Sequence, residues 1–201
     1  PGSGSVVLDS RDFSLQFPTV YQQPLEYSEL RGSLFVDWDN SGFVLSSELI
    51  EAYEGATRLP AVFTLNVPRQ ANDVGVEMDL LIGLEQADAS VRQKYIPYFL
   101  DDKLRQWLEE SILNGRVHEG GFVWRGSLRK ENLPRSTVQL FLDLHETELA
   151  FLPQWPVLRD ITGMLLIDDT AVSVWIQHAA MPKSAVQIVS AELWRGPSND
   201  F

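Results

Sequence analysis

Residues 13–34 read Phe13-Ser14-Leu15-Gln16-Phe17-Pro18, then a short polar spacer, Pro24-Leu25, and Leu30-Arg31-Gly32-Ser33-Leu34. The same phrase returns over residues 148–165 as Glu148-Leu149-Ala150-Phe151-Leu152-Pro153, Trp155-Pro156-Val157-Leu158 and Ile161-Thr162-Gly163-Met164-Leu165. Each copy is entered by a strand-like run and left by another, so the repeating unit is strand, proline-rich crossing, strand. That grammar predicts an extended, repeat-built β-sheet. Trp124-Arg125-Gly126-Ser127-Leu128 is a third, shorter echo of the Gly-x-Leu step.

Outward from the phrase, most of the chain alternates with period two, the mark of half-buried strands. Phe63, Leu65 and Val67 share one parity, as do Val76, Met78, Leu80, Ile82 and Leu84. Val138, Leu140, Leu142 and Leu144 form a third run, and Val172, Val174 and Ile176 a fourth. Asp39-Asn40-Ser41-Gly42 and Asp168-Asp169-Thr170 read as hairpin turns. The result is a meander of about ten strands.

One stretch changes period. Leu100, Leu104, Trp107, Leu108 and Ile112 fall at helical spacing, Asp101 or Asp102 can cap, and Asn114-Gly115 supplies a left-handed stop. An amphipathic helix is expected over Asp101–Leu113, laid on one face of the sheet with Trp107 as anchor. A short helical turn over Asp88–Lys94 should end at Tyr95-Ile96-Pro97, because proline disfavours helix in the residue before it.

The 201 residues suffice for one domain with a real core. With 28 acidic and 16 basic residues the chain carries −12 and repels phosphate backbones, so nucleic acid is excluded as a partner. It has no cysteine, which removes disulfides and thiolate metal sites without choosing a compartment. No apolar run approaches the roughly 20 residues of a membrane helix. Pro1-Gly2-Ser3-Gly4-Ser5 lacks an initiator Met and reads as a linker or expression scar, which predicts an excerpt of a longer protein. The plan is then linker 1–5, first β repeat 6–90, helical interruption 91–118, second β repeat 119–196 and tail 197–201, joined in one sheet.

No catalytic constellation emerges. His118, His145 and His178 sit in separate segments without metal-ligand spacing. Asp101-Asp102 caps a helix, Glu109-Glu110 lies on its solvated face, and Asp168-Asp169 makes a turn, which accounts for carboxylate pairs that could otherwise serve a glycosidase. There is no Gly-x-Ser-x-Gly elbow, phosphate loop or dinucleotide fingerprint. The chain is read as a non-enzyme with no cofactor and no metal. What stands out instead are runs apolar at both parities: Leu34-Phe35-Val36, Leu80-Leu81-Ile82, Leu140-Phe141-Leu142 and Met164-Leu165-Leu166-Ile167. They imply a sheet covered on both faces in places, or an apolar face left open to receive hydrocarbon.

An ordered set of words carries a family resemblance: Tyr95-Ile96-Pro97, Leu104-Arg105-Gln106-Trp107-Leu108, Gly115-Arg116-Val117, Gly121-Phe122-Val123-Trp124-Arg125-Gly126-Ser127-Leu128, and Trp155-Pro156-Val157-Leu158-Arg159-Asp160-Ile161-Thr162-Gly163. From about Tyr95 to Trp194 the chain resembles the YhdP branch of the AsmA-like proteins, departing where Lys130-Glu131-Asn132-Leu133-Pro134 lacks an aromatic. The resemblance implies one internal segment of a long periplasmic bridge of Gram-negative bacteria, anchored in the inner membrane by a part outside this chain. It also implies a β-sheet curled into a hydrophobic groove that moves phospholipid toward the outer membrane.

The fold class expected is therefore α+β, mainly antiparallel, with a strongly curved sheet and one principal helix. Val138, Leu140, Leu142, Leu165, Ile167, Val172, Val174 and Ile176 are the candidate groove lining. The partners implied are phospholipid or fatty-acyl chains and adjoining segments of the same long chain. The rival reading is a structural spacer or protein-docking β module in which these residues close into a core.

Overall fold

A computed structural model describes residues 1–16, 24–88, 96, 102–152, 154–169, 171–181, 187–188 and 191–195. Asp88, the first residue of the turn expected over Asp88–Lys94, ends a strand instead, and the rest of that turn, most of the Tyr95-Ile96-Pro97 step, Asp101, the side chain of Leu104 and the tail lie outside the described residues.

Among the described residues twelve strands make one antiparallel sheet. In chain order they are β1 (Gly2–Leu15), β2 (Leu25–Trp38), β3 (Gly42–Ser47), β4 (Ile50–Glu54), β5 (Thr57–Pro68), β6 (Glu77–Asp88), β7 (Ile112–Ser127), β8 (Thr137–Leu149), β9 (Leu158–Asp168), β10 (Ala171–Ala180), β11 (Gln187–Ile188) and β12 (Ala191–Arg195). They fill ten positions across the sheet. β3 and β4 both lie between β2 and β5, end to end, and β11 and β12 share the place beyond β10. A 3-10 turn, Lys130–Arg135, joins β7 to β8.

Both copies of the repeated phrase are hairpins. Leu15 pairs with Leu25 to close β1 on β2, and Leu149 pairs with Leu158 to close β8 on β9. Residues Gly2 to Ser5, linker-like by composition, are the first rungs of β1 opposite Trp38 to Phe35.

The helix α1 (Asp102–Ser111) is shorter than its periodicity suggests, and the expected end at Leu113 is corrected to Ser111. β-branched Ile112 opens β7 opposite Leu149, and the Ser111 carbonyl accepts from Ala150 N–H at 2.8 Å. Gly115 does not stop a helix. It sits inside β7 at φ 126°, where a Cβ would lie 2.5 Å from Thr147 Cα, so glycine is required by close approach and backbone angle together. The apolar side of α1 buries Trp107 and Leu108. Trp107 Nε1–H donates to the Phe151 carbonyl at 2.9 Å, with the two rings edge to face at 5.9 Å. Arg105 bonds Glu109 at 3.3 Å on the outer side, a helical i, i+4 pair.

A line of backbone irregularities crosses β6 to β10. Gln86, Glu146 and Asp160 have left-handed φ values of 56°, 50° and 52° inside β6, β8 and β9. β7 carries a register shift between Val117 and Glu119, and β10 has shifts on either side of His178. At each of these points the buried parity changes: Leu84 gives way to Ala87, Gly120 to Val117, Leu144 to Thr147, Ile161 to Leu158 and Ile176 to Ala179. Such insertions bend their strands. Beyond the line, Ile112, Leu149 and Leu158 join Leu165 and Val174 in one buried cluster, so the strand ends turn toward the apolar face as a unit.

The Asp39 turn between β2 and β3 is held by its carboxylate, which accepts from Ser41 N–H at 2.7 Å and Gly42 N–H at 3.3 Å and bonds the Ser41 hydroxyl. The Ser41 hydroxyl and then its amide hold the Asp39 carboxyl below its ordinary 3.8. A lowered pKa contributes stability above the ordinary value and loses it as pH falls through the folded value. Protection of the Ser41 and Gly42 amides, their exchange measured against the intrinsic rate at each pH, should therefore fall in acid in the wild type. In Asp39→Ala it should already be low at neutral pH and show no extra acid step.

Candidate functional site

In an antiparallel sheet, residues directly opposite one another share a face. The pairings trace overlapping rows of apolar side chains that together run from β2 to β10. One row runs Val36, Leu45, Leu65, Met78. The next runs Phe63, Leu80, Trp124, Val138. A third runs Ile82, Phe122, Leu140, Ile167, Val172, and a fourth Leu84, Gly120, Leu142, Leu165, Val174. These rows form one continuous hydrocarbon face.

The face has two regimes. Over β8 to β10 it is closed: Leu142, Leu165, Ile167, Val172, Val174 and Ile176 are at most 6% exposed. They belong to one cluster with Trp107, Leu108 and Phe151. Val138 and Leu140 are half-buried at its margin. Sequence reasoning thus selected eight residues that the sheet does bring together, six of them in the closed part. Over β1 to β6 the same face is half-exposed at Leu34, Val36, Leu45, Phe63, Leu65, Met78, Leu80 and Ile82. Trp38 and Phe43, opposite each other, are 48% and 41% exposed at its rim. Sequence reasoning left these out of the candidate lining, although the Phe63 and Met78 runs carried the same alternation.

A second, smaller cluster of Leu25, Tyr27, Leu30, Ile50, Ala52 and Leu59 closes one end of the half-open part. Leu84 packs against both clusters and marks the boundary between the regimes.

Polar groups are occupied in structural tasks. Arg58 Nη1 donates to Glu85 at 2.6 Å and Nε to Glu51 at 3.0 Å, tying β4, β5 and β6. Glu51 first and Glu85 second raise the Arg58 pKa, so it stays cationic. Asp169 Oδ1 accepts from Val138 N–H at 2.9 Å, and Asp168 accepts from Gln139 at 2.9 Å, which anchors the turn between β9 and β10. Glu110 accepts from Gln106 at 2.9 Å on the outside of α1.

The histidines, apart in sequence, are gathered along the line of irregularities. His118 and His145 meet at 5.5 Å between ring centroids, Gln86 Nε2 lies 2.8 Å from His118 Nδ1, and His178 Nε2 lies 3.4 Å from Asp160. Among the described residues no group of three His, Asp or Glu has the geometry to hold a metal ion. No helix among them is long and apolar enough to cross a membrane.

Among the described residues the largest feature is an apolar face with one half accessible, a surface that sorts hydrocarbon from water. No curated protein and no solved structure matches the chain. The family model described as YhdP protein matches residues 1–194, and with a long antiparallel sheet beneath that match the chain belongs to the YhdP family.

Proposed function

We propose that this chain carries the acyl chains of phospholipid along its apolar face, as one segment of a periplasmic protein tethered to the inner membrane and serving the outer membrane. The observation that carries the reading is the continuity of the face from Val36 to Val174, with its β1 to β6 part half-exposed. Each methylene moved out of water is favourable by about 0.8 kcal/mol, and the effect is non-directional. Acyl chains can therefore slide along such a face while their headgroups stay in water. Val138 and Leu140 stand where the half-open floor meets the closed cluster, and Leu142, Leu165, Ile167, Val172, Val174 and Ile176 form the wall behind them. No chemical step is part of this function.

Leu45→Glu is the test. Leu45 lies mid-floor and half-exposed, between Val36 and Leu65, so its carboxylate reaches water and the fold should persist. A charge there interrupts the hydrocarbon path, and binding of a fluorescent fatty-acyl probe should fall by about tenfold or more. Native mass spectrometry of the wild-type chain purified from cells should show co-purifying phospholipid. A folded Leu45→Glu variant that binds probe as wild type does, together with a lipid-free wild-type mass, would favour the rival spacer reading.

A further inference from the structure

The opposite face of the sheet carries a second apolar surface that acyl carriage does not use. Val62 on β5 stands opposite Leu81 on β6, and Leu81 opposite Val123 on β7. One rung along, Gly83 faces Gly121, Gly121 faces Phe141 on β8, and Phe141 faces Leu166 on β9. Leu81 is 53% exposed, Val62 40% and Phe141 36%, so the belt is in water. The bare backbone at Gly121 lowers its floor, since a Cβ there would meet nothing within 4 Å, whereas the Pro60 ring stands over Gly83, where a Cβ would lie 2.8 Å from Pro60 Cγ.

Beside this belt runs a row of carboxylates. Glu85 stands directly opposite Glu119, and Glu119 directly opposite Asp143. Like charges placed so destabilise a sheet unless a cation intervenes. Arg58 answers Glu85 at one end of the row, and His145 lies 3.3 Å from Asp143 at the other. Glu119, exposed in the middle, has a carboxylate on each side.

We propose that this face docks a cationic amphipathic helix of a partner protein, laid across β5 to β9. The belt spans four strand spacings, about 19 Å, the length of about 13 helical residues. A helical turn of about 5.4 Å nearly matches the strand spacing of about 4.8 Å, so each turn overlies one strand. Apolar side chains on one stripe then rest on Leu81, Val123 and Phe141, and Lys or Arg side chains on the flanking stripe reach Glu85, Glu119 and Asp143. The −12 charge of the chain disfavours a second copy of itself and an anionic lipid surface as the occupant.

The probe is a synthetic Leu/Lys peptide of about 14 residues with leucines at helical spacing, beside its Leu/Glu counterpart, followed by fluorescence anisotropy at low and high salt. The Leu/Lys peptide should bind and weaken with salt, and the Leu/Glu peptide should not bind. Leu81→Ser with Phe141→Ser, which leaves every charge in place, should weaken binding by about tenfold, as should Glu119→Lys. Leu45→Ser on the opposite face should leave it unchanged. Circular dichroism confirms folding, and the single variants Leu81→Ser and Phe141→Ser replace the double variant if it does not fold. Equal binding by the Leu81 and Phe141 variants would overturn the proposal, as would loss of binding in Leu45→Ser. So would binding of phosphatidylglycerol vesicles that is lost on the Leu81 and Phe141 substitutions.

Discussion

Circular dichroism of a Leu165→Glu variant should show no cooperative thermal transition, because the substitution buries a carboxylate in the closed half of the sheet. Leu165 is fully buried, with Leu142 and Val174 directly opposite on the two neighbouring strands. Its cluster neighbours include Ile167, Val172 and Ile176, none of which offers a hydrogen bond from its side chain. An unpaired buried charge costs several kcal/mol, and a domain has only about 5–15 kcal/mol in total. The comparison with Leu45→Glu on the same face gives the experiment its force: one carboxylate reaches water and the other does not. A Leu165→Glu protein melting as wild type does would show that β8 to β10 open to solvent.

Trp107→Ala has the second largest expected effect, a loss of about 3–5 kcal/mol from the cavity and about 1 kcal/mol from the hydrogen bond to Phe151. For a chain of this size, about 2–4 °C per kcal/mol puts the fall in Tm between about 8 and 24 °C. The indole holds α1 to the β8–β9 connection through the Phe151 carbonyl and ring, so its removal frees the helix as well as emptying a volume. Trp107→Phe should recover the packing but not the hydrogen bond. Urea unfolding of the three proteins separates the two contributions, and an unchanged midpoint for Trp107→Ala would mean that α1 does not pack on the sheet.

Strand existence was legible because alternation is a local signal, printed in the runs Phe63 to Val67, Met78 to Leu84 and Val138 to Leu144, whereas the shared place of β3 and β4 between β2 and β5 is no part of a simple meander. The parity change along β6 to β10 was not legible. Gln86 and Glu146 adopt left-handed backbone without being the glycine, asparagine or aspartate that favours it, so only Asp160 carries a residue-level signal of an insertion. A trace remained in the phase: the apolar series Val138, Leu140, Leu142, Leu144 resumes one residue late, at Thr147 and Leu149. The helix end failed for the opposite reason. Ile112 continues the helical spacing, but a partner strand claims it, and tertiary pairing overrides a periodicity that both structures satisfy. The eight candidate residues share one face of the sheet. Whether such residues are walls or floor depends on α1 and Phe151, which cover one half of the face, and alternation carries no information about cover.

The opening residues of β1 do more than extend an edge. Their alternation is nearly empty: Gly and Ser exchange places in a one-residue slip, and Val6 would give way to Val7, so side-chain polarity opposes no such slip. Resistance comes from the strand's two ends. At residue 2 a Cβ would lie 2.5 Å from the Trp38 ring, so a slip that brought Ser3 beneath the indole would collide with it. At residue 12 the left-handed backbone of Asp12 lets Phe13 and Leu15 reach the second cluster, and no neighbouring residue carries that kink. An apparently featureless sequence is thus pinned like a ruler held at both ends, and its glycine is an alignment mark.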